Sequence, residues 1–154
     1  MKSPESVLKP TQLLVLQSKL FYMKRQKMLF GAFSVVFFVL CLQVPAFFVR
    51  NSSLFGVCND GGAFGLGFPF WLLTLFFVGA VIYFLHEWWR VPEGDWGWPW
   101  LLLVAAGTSN MLERAVHGCV FDFIHVPFFP SFNGADIILS LSVVFLLWKG
   151  IRQR

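Results

Sequence analysis

The sequence predicts an all-α integral membrane protein, a bundle of four transmembrane helices with a small extracytoplasmic loop or β region between helices 1 and 2. Three observations predict this fold class. The chain has 154 residues, of which 57% are hydrophobic and 13% charged, a composition that excludes an ordinary soluble domain. Apolar stretches of about 20 residues, the length that crosses a bilayer, recur along the chain. Basic residues cluster at both chain ends, which indicates an even number of crossings.

Four predicted spans account for the apolar stretches, at about residues 29–49, 68–85, 99–117 and 133–148. Together they form a predicted domain at 29–150, between a basic segment at 1–28 and a short tail at 151–154. Basic flanks stay in the cytoplasm, so both termini are predicted to face it. This orientation and anionic lipid explain the formal net charge of +4, so nucleic acid is not a predicted partner.

The basic segment before the first span has two interpretations. Pro10 and Thr11 are suited to begin a helix whose leucines form a broad apolar face, with lysines around it. One interpretation is an amphipathic helix on the inner leaflet of the membrane. The other is a solvated extension of the first span. The sequence alone favours neither.

The connections between spans are predicted from their glycines and prolines. Residues 50–67 indicate a glycine-rich loop with short extended pieces, and a turn is expected from His86 to Trp98. Residues 119–132 are expected to form an irregular outer loop, because Pro127 and Pro130 break regular structure.

The cysteines and histidines show no metal-binding spacing. Cys41 lies inside the first predicted span, whereas Cys58 and Cys119 fall on the same outer side. Whether Cys58 and Cys119 form a disulfide is left open at this point. The histidines are equally scattered, so neither a metal nor another cofactor is predicted; they are His86, His117 and His125.

Two aspartates stand among apolar residues at the ends of hydrophobic runs. Asp122 lies in the stretch VFDFI, and Asp136 lies in FNGAD. A carboxylate away from water is costly unless it is paired or hydrogen-bonded, and in a membrane it indicates function. Spans 1 and 3 end where spans 2 and 4 begin, so both acids are predicted at one membrane face. Two acids brought together share a proton, which is the chemistry of an aspartic protease.

Local patterns at the ends of spans 3 and 4 place other polar residues. Asn110 and Arg114 are four residues apart and share a helix face. Gly118 predicts the C-terminus of the third span. Asn133 is a predicted N-cap with Asp136 at the third helical position, a spacing close to a capping box. The helix N-terminus favours an anion, so Asp136 is predicted to be the ionised acid and Asp122 the proton donor.

Four ordered motifs make the chain resemble the lipoprotein signal peptidases, or signal peptidase II. Residues 109–114 are similar to the family pattern G-N-x-x-D-R, and residues 118–124 to G-x-V-x-D-F-I. Residues 132–136 are similar to F-N-x-A-D, and residues 59–65 to N-x-G-A-A-F-S. Each motif is weak alone, but four in order at matching depths are specific.

The resemblance implies an aspartic endopeptidase of the bacterial inner membrane that removes the signal peptide from diacylglyceryl-modified prolipoproteins. Asp122 and Asp136 match the catalytic pair. Four further residues match polar positions that line the substrate site: Asn59, Asn110, Arg114 and Asn133. The resemblance implies no cofactor and an active site at the extracytoplasmic face. The expected partners are the lipidated prolipoprotein and membrane lipids, and the expected functional state is a monomer.

The chain also departs from the family pattern. Where the family has D-Q-x-x-K in the first span, residues 42–46 keep only Gln43. Ser109 and Glu113 replace the Gly and the Asp of the third-span motif. We therefore expect a divergent enzyme in which the catalytic pair is kept and its surroundings are altered. Glu113 is interpreted as a supporting or interfacial acid, not as a third catalytic group.

Simpler interpretations stand beside these. Asp122 has the alternative of a solvated loop acid, and Asp136 of a capping acid. Asn59 and Asn133 have the alternatives of a turn residue and a cap residue. Asn110 has that of an interhelical hydrogen bond. Arg114 has that of a membrane-interface anchor or an ion-pair partner of Glu113. For the whole chain, the alternative is a non-catalytic paralogue or a small four-helix transporter or binding protein that uses the acids for protons or cations. A transport site is expected nearer the midplane.

Overall fold

The residues that the structure describes form four α-helices and one two-stranded sheet. The computed structural model describes residues 10–52, 56–60, 68–92 and 97–152. In chain order the elements are α1 Pro10–Arg50, β1 Val57–Asn59, α2 Phe70–Arg90, α3 Trp98–His117, β2 Val120–Asp122 and α4 Gly134–Arg152. The predicted fold class, a helical membrane bundle with a small β region, is confirmed. The glycine-rich motif from residue 61 onwards and the first nine residues of the basic segment lie outside the described residues.

Three helices within the described ranges are long and apolar enough to cross a membrane, namely Thr11–Arg50, Phe70–Arg90 and Gly134–Arg152. Helix α3 differs because its second half carries several polar and charged residues. Such residues are tolerated in a membrane helix when they face the protein interior. Ser109 and Glu113 of α3 are indeed buried.

The chain divides into two units, Met1–Ser34 and Val35–Arg154. In the first unit, residues 10–34 are helical, and apolar side chains such as Leu14 and Phe21 are exposed. Helix α1 as a whole has 41 residues, about twice the number that crosses a bilayer. The described part of the basic segment and the first predicted span therefore belong to one helix.

Helix α3 forms the core of the second unit. It packs against both α2 and α4, and its buried residues include Leu101, Val104 and Ala105. Small residues let neighbouring helices approach closely in a membrane bundle. Gly107 is such a residue, because a Cβ atom there would lie 3.0 Å from the ring of Phe77 on α2. This close packing fixes the polar end of α3 against its neighbours.

The turn between α2 and α3 is shorter than the sequence predicted. Helix α2 continues through His86 and ends at Arg90, because no helix-breaking residue occurs before Pro92. Val91 has φ −64° and ψ 127°, the extended conformation expected of a residue that precedes proline. Charged residues at the end of α2 are thus helical; Glu93 and Asp95 lie outside the described residues.

The two strands form an antiparallel pair in which Val57 lies opposite Asp122 and Asn59 opposite Val120. A further bridge joins Ile124 and Phe132 through backbone hydrogen bonds of 2.9 and 3.1 Å. The prediction of an irregular loop over 119–132 is therefore wrong in part. Pro127 and Pro130 lie between the two bridged residues and so do not interrupt the pairing.

The disulfide left open by the sequence is formed between Cys58 and Cys119, whose Cα atoms are 5.5 Å apart. Cys58 belongs to β1, and Cys119 immediately precedes β2. The bond therefore ties the two strands together next to Asn59 and Asp122. Cys41 is a free, exposed cysteine.

Candidate active site

Asp122 lies at the end of β2 and is only 2% exposed. Each of its carboxylate oxygens accepts a hydrogen bond from an asparagine side chain. Asn59 Nδ2 donates to Oδ2 at 2.9 Å, and Asn133 Nδ2 donates to Oδ1 at 2.9 Å. The strand pair places Asn59 on β1 beside this carboxyl group. Asp122 is therefore not a solvated loop acid.

Asp136 lies in the first turn of α4, where the predicted capping box is formed. Asn133 Oδ1 accepts hydrogen bonds from the backbone N–H groups of Ala135 at 2.7 Å and Asp136 at 3.2 Å. In return, Asp136 Oδ2 accepts one from the Asn133 backbone N–H at 3.1 Å. This reciprocal pattern satisfies amides that a helix start otherwise leaves without partners.

Asp136 does more than cap the helix. Its second oxygen, Oδ1, accepts a hydrogen bond from Asn110 Nδ2 at 2.9 Å. Asn110 projects from α3, so the interaction crosses from one helix to another. The interhelical hydrogen bond proposed as the simpler interpretation of Asn110 is formed, and its partner is one of the two acids.

Asn133 connects the two carboxyl groups. Its side-chain Nδ2 contacts both Asp122 Oδ1 at 2.9 Å and Asn110 Oδ1 at 3.2 Å, while its Oδ1 accepts from the amide of Asp136. A single buried asparagine thus bridges strand β2, helix α3 and the start of α4. The two acids predicted at one membrane face are brought into one hydrogen-bonded network.

A cavity of about 690 Å³ opens beside this network. Both aspartates line it, together with Asn59, Asn110 and Arg114. The remaining walls are mainly apolar, as in most sites for small molecules or peptides; they include Leu73, Phe77, Met111 and Phe132. Of the six residues predicted for the site, five line the cavity. Asn133 is not among the lining residues, but it hydrogen-bonds three of them, Asp122, Asn110 and Asp136.

Burial raises the pKa of Asp122, since removal from water disfavours the charged carboxylate. The hydrogen bonds from Asn59 and Asn133 act in the opposite direction, and the nearby negative charge of Asp136 raises the pKa of Asp122 further. The positive charge of Arg114 lowers it. The net direction of the shift in the pKa of Asp122 is upward, which favours its protonated form.

Arg114 places a positive charge near both acids. It lies one helical turn after Asn110, and its Nη1 donates to the Asn110 backbone oxygen at 3.4 Å. Its charge interacts with Asp122, Asp136 and Glu113. Because Arg114 also lines the cavity, it can contact a bound substrate as well as balance the acidic pair.

Glu113 forms an ion pair with a residue that the sequence analysis did not select. Arg50 Nη2 at the end of α1 lies 3.1 Å from Glu113 Oε2. The same oxygen accepts a hydrogen bond from the backbone N–H of Phe121 at 2.9 Å. A sequence signal existed: Arg50 follows position 46, where the family pattern has lysine, by one helical turn.

Gln43, the residue kept from the first-span motif, also contacts α3. Its Nε2 donates to the backbone oxygen of Ser109 at 2.9 Å and to the Ser109 hydroxyl at 3.0 Å. This contact fixes α1 against the helix turn that carries Asn110. Within the described ranges, no group of three or more His, Cys, Asp and Glu residues is arranged to hold a metal ion.

Comparison with known proteins identifies relatives over most of the chain. Residues 18–152 match the family model described as Signal peptidase (SPase) II. A lipoprotein signal peptidase of Dehalococcoides mccartyi is 31% identical over 123 residues, which cover 72% of this chain and 76% of that protein. One of Wolinella succinogenes is 43% identical over 54 residues, or 33% of this chain and 37% of that protein.

A solved structure shares the fold. It is described as a bacterial membrane enzyme determined by the in meso method at 2.3 Å resolution. The TM-score is 0.71 at 21% sequence identity, and the match covers 79% of this chain and 87% of the other. At this identity the likeness shows the fold alone.

Proposed function

Because the chain belongs to the signal peptidase II family, we propose that it is an aspartic endopeptidase that cleaves the signal peptide from diacylglyceryl-modified prolipoproteins. Family membership makes the chain a multi-pass membrane protease. The finer proposal rests on one observation: Asn133 joins Asp122 and Asp136 in one hydrogen-bonded network beside a cavity. Asp136 lies near enough for its negative charge to raise the pKa of Asp122, which suits an acid–base pair.

The environments of the two acids support different roles. Asp122 is buried, and burial raises its pKa, which suits a proton donor. Asp136 accepts a backbone N–H bond at the start of α4 and a side-chain bond from Asn110. The partial positive charge of a helix N-terminus stabilises an anion. We assign Asp136 as the ionised base and Asp122 as the acid.

The reaction then follows general acid–base chemistry. Asp136 takes a proton from a water molecule while the water oxygen attacks the scissile carbonyl carbon. Asp122 gives its proton to the carbonyl oxygen. The resulting tetrahedral intermediate collapses by breaking the C–N bond, and the leaving nitrogen receives the proton held by Asp136. The carbonyl oxygen returns its proton to Asp122, so no covalent acyl-enzyme forms.

The other cavity residues suit a peptide substrate. Asn59, Asn110 and Arg114 present hydrogen-bond donors beside apolar walls. Donors of this kind can hold the carbonyl groups of an extended backbone, while the apolar walls receive side chains. The proposed functional state is a monomer. Acid–base work by two carboxyl groups requires no cofactor.

We place the active site at the outer face of the bacterial inner membrane, with both termini in the cytoplasm. Lys149 and Arg152 lie in the last turn of α4, and basic flanks favour the cytoplasmic side. The disulfide between Cys58 and Cys119 lies at the opposite end, next to the acids. Disulfides persist in oxidising compartments, which supports an extracytoplasmic location.

The test is cleavage of a diacylglyceryl-modified prolipoprotein by purified protein in detergent or lipid. We expect the unmodified chain to process it, and Asp122→Asn or Asp136→Asn to lower the rate by at least about 100-fold, as loss of a general acid or base does. Asp60→Asn is the matched control, because Asp60 is an exposed acid of the same type. It should retain the full rate.

The outcomes separate the alternatives. Full processing by either active-site variant would contradict the two-aspartate mechanism. Lack of processing by the folded, unmodified chain would favour the non-catalytic paralogue. The transporter alternative is disfavoured by family membership and by the position of both acids at the ends of elements, where α3 finishes and α4 begins.

A further inference from the structure

We propose that Arg50 and Glu113 are positioning residues that hold strand β2, and with it Asp122, in the place that catalysis needs. The inference rests on the proposed function, because it concerns the geometry of the same acidic pair. Neither residue is among those that line the cavity shared by Asp122 and Asp136. Any effect on the reaction must therefore act through other groups.

Glu113 uses one oxygen atom to join two parts of the protein. Its Oε2 lies 3.1 Å from Arg50 Nη2 and accepts the Phe121 backbone N–H at 2.9 Å. Arg50 also lies over the ring of Phe121, with its guanidinium carbon 5.3 Å from the ring centroid. Helix α1, helix α3 and strand β2 thus meet at a single carboxylate.

The contact fixes the edge of β2 that faces away from β1. Phe121 lies opposite Cys58 in the strand pair, yet its N–H donates to Glu113. Strand β2 is therefore held by β1 on one side and by Glu113 on the other. Asp122 is the next residue along the chain, so a displacement of the Phe121 backbone moves the acid directly.

Burial makes this arrangement depend on both charges. The Glu113 side chain is 8% exposed and the Arg50 side chain 23%. A buried carboxylate that loses its cation is costly, and the surrounding structure shifts to let water reach it. Removal of Arg50 should therefore disturb Glu113, the Phe121 amide and Asp122 in turn, although Arg50 and Asp122 belong to different elements.

The central experiment compares four variants in the prolipoprotein-processing assay, with kcat and KM measured separately. Arg50→Gln and Glu113→Gln each remove the ion pair, and Glu113→Gln also replaces the charged acceptor of the Phe121 amide by a neutral, weaker one. We expect kcat to fall about 10- to 100-fold in both, the range that misplacement of a catalytic group produces, with KM changed much less. Arg50→Lys keeps the charge and should retain most of the rate.

The double variant Arg50→Gln/Glu113→Gln gives a readout that general destabilisation would not. If the two residues act as one unit, the double variant is no slower than the slower single variant. A double variant whose loss in kcat is the product of the two single losses would overturn the proposal. So would variants in which only KM changes. So would wild-type kcat in both single variants. Absence of processing by the unmodified chain would instead contradict the proposed function.

A second measurement covers variants that fold poorly. Hydrogen exchange of the backbone amide of Phe121, resolved within the peptide of residues 119–124, reports the contact with Glu113 and needs no activity. We expect the Phe121 amide to exchange faster in Arg50→Gln and in Glu113→Ala than in the unmodified protein. Amides of α2 serve as the internal reference for a general loss of stability. Unchanged exchange in both would contradict the positioning role. Arg90→Gln, which breaks a more exposed ion pair with Glu87, is the matched control and should leave kcat and exchange unchanged.

Discussion

The two ends of the helical bundle carry the same kinds of charged residue in different surroundings. Where α3 ends, Arg50 and Glu113 lie 3.1 Å apart, with side chains 23% and 8% exposed. Where α2 ends, Arg90 and Glu87 lie 3.8 Å apart, with side chains 68% and 27% exposed. Exposed pairs contribute little to stability, whereas a buried pair cannot lose one member without cost. The two ends therefore cannot be told apart by composition alone, but they differ in burial and in shared partners.

The polar groups around the charges differ as well. At the end with the aspartates, three asparagines from β1, α3 and the start of α4 donate to carboxylates. At the other end the contacts are aromatic, with Trp98, Phe145 and Trp148 in ring contact and Arg152 over the Trp148 ring. The first end holds the proposed active site, and the second resembles a membrane interface, where aromatic and basic residues gather.

Loss of Asn133 should produce the largest contrast between the two ends. Asn133→Ala removes two features, the hydrogen-bonded bridge between the two aspartates and the N-cap of α4. We expect kcat/KM to fall by at least about 100-fold. Loss of the cap should lower stability by about 1 kcal/mol. Asn51→Ala is the control, since Asn51 is an exposed asparagine. A folded Asn133→Ala protein with an unchanged rate would contradict the bridging role.

The disulfide should stabilise the end of the protein that holds the proposed active site. Cys58 and Cys119 are 61 residues apart in sequence, so Cys58→Ser should lower the free energy of unfolding by about 2–4 kcal/mol. Thermal or denaturant unfolding in detergent measures the change. Cys41→Ser, at the free cysteine, should have little effect. Equal stabilities of the two serine variants would show that the bond does not constrain the unfolded chain.

Asn59→Ala should change the pH dependence of the reaction. The hydrogen bond from Asn59 lowers the pKa of Asp122, so its loss moves that pKa upward. Activity that requires a protonated Asp122 disappears as pH rises through this pKa. The alkaline limb of the kcat profile should therefore move to higher pH, with a change of less than about tenfold near neutrality. A shift to lower pH would contradict the assignment of Asp122 as the acid.

The smallest effect is expected at the exposed pair. Arg90→Gln should change the free energy of unfolding by less than about 1 kcal/mol, the usual range for surface pairs. A comparison of Arg90→Gln with Arg50→Gln in the same unfolding experiment measures how much the burial of an ion pair adds to the free energy of unfolding. Equal losses of unfolding free energy in the two variants would show that the buried pair and the exposed pair do not differ in their contribution to stability.

Local sequence patterns predicted much of what the structure contains. Apolar runs indicated the helices, Gly118 the end of α3, and the spacing of Asn133 and Asp136 the cap of α4. Gly118 has φ +78° and its N–H donates to the Arg114 backbone oxygen at 2.9 Å. Each of these features is determined by residues within about four positions, where periodicity and capping rules operate.

Contacts between distant residues were harder to predict. The strand pair joins residues 57–59 to 120–122, and Arg50 meets Glu113 across 63 positions. Neither short strand has a local pattern strong enough to mark it, and the prolines of the 119–132 loop pointed away from pairing. The predicted topology placed Cys58 and Cys119 on the same side of the membrane, but it did not decide whether they form a disulfide. Such contacts depend on how the helices pack, which local spacing does not specify.

The most direct test of the account is a comparison of Asp122→Asn, Asp136→Asn and the double variant in prolipoprotein processing. If the two carboxyl groups act as one acid–base unit, each single variant is about as slow as the double variant, because residues that act as a unit are not additive. A double variant slower by the product of the two single losses would contradict the account. So would a single variant that retains the wild-type rate.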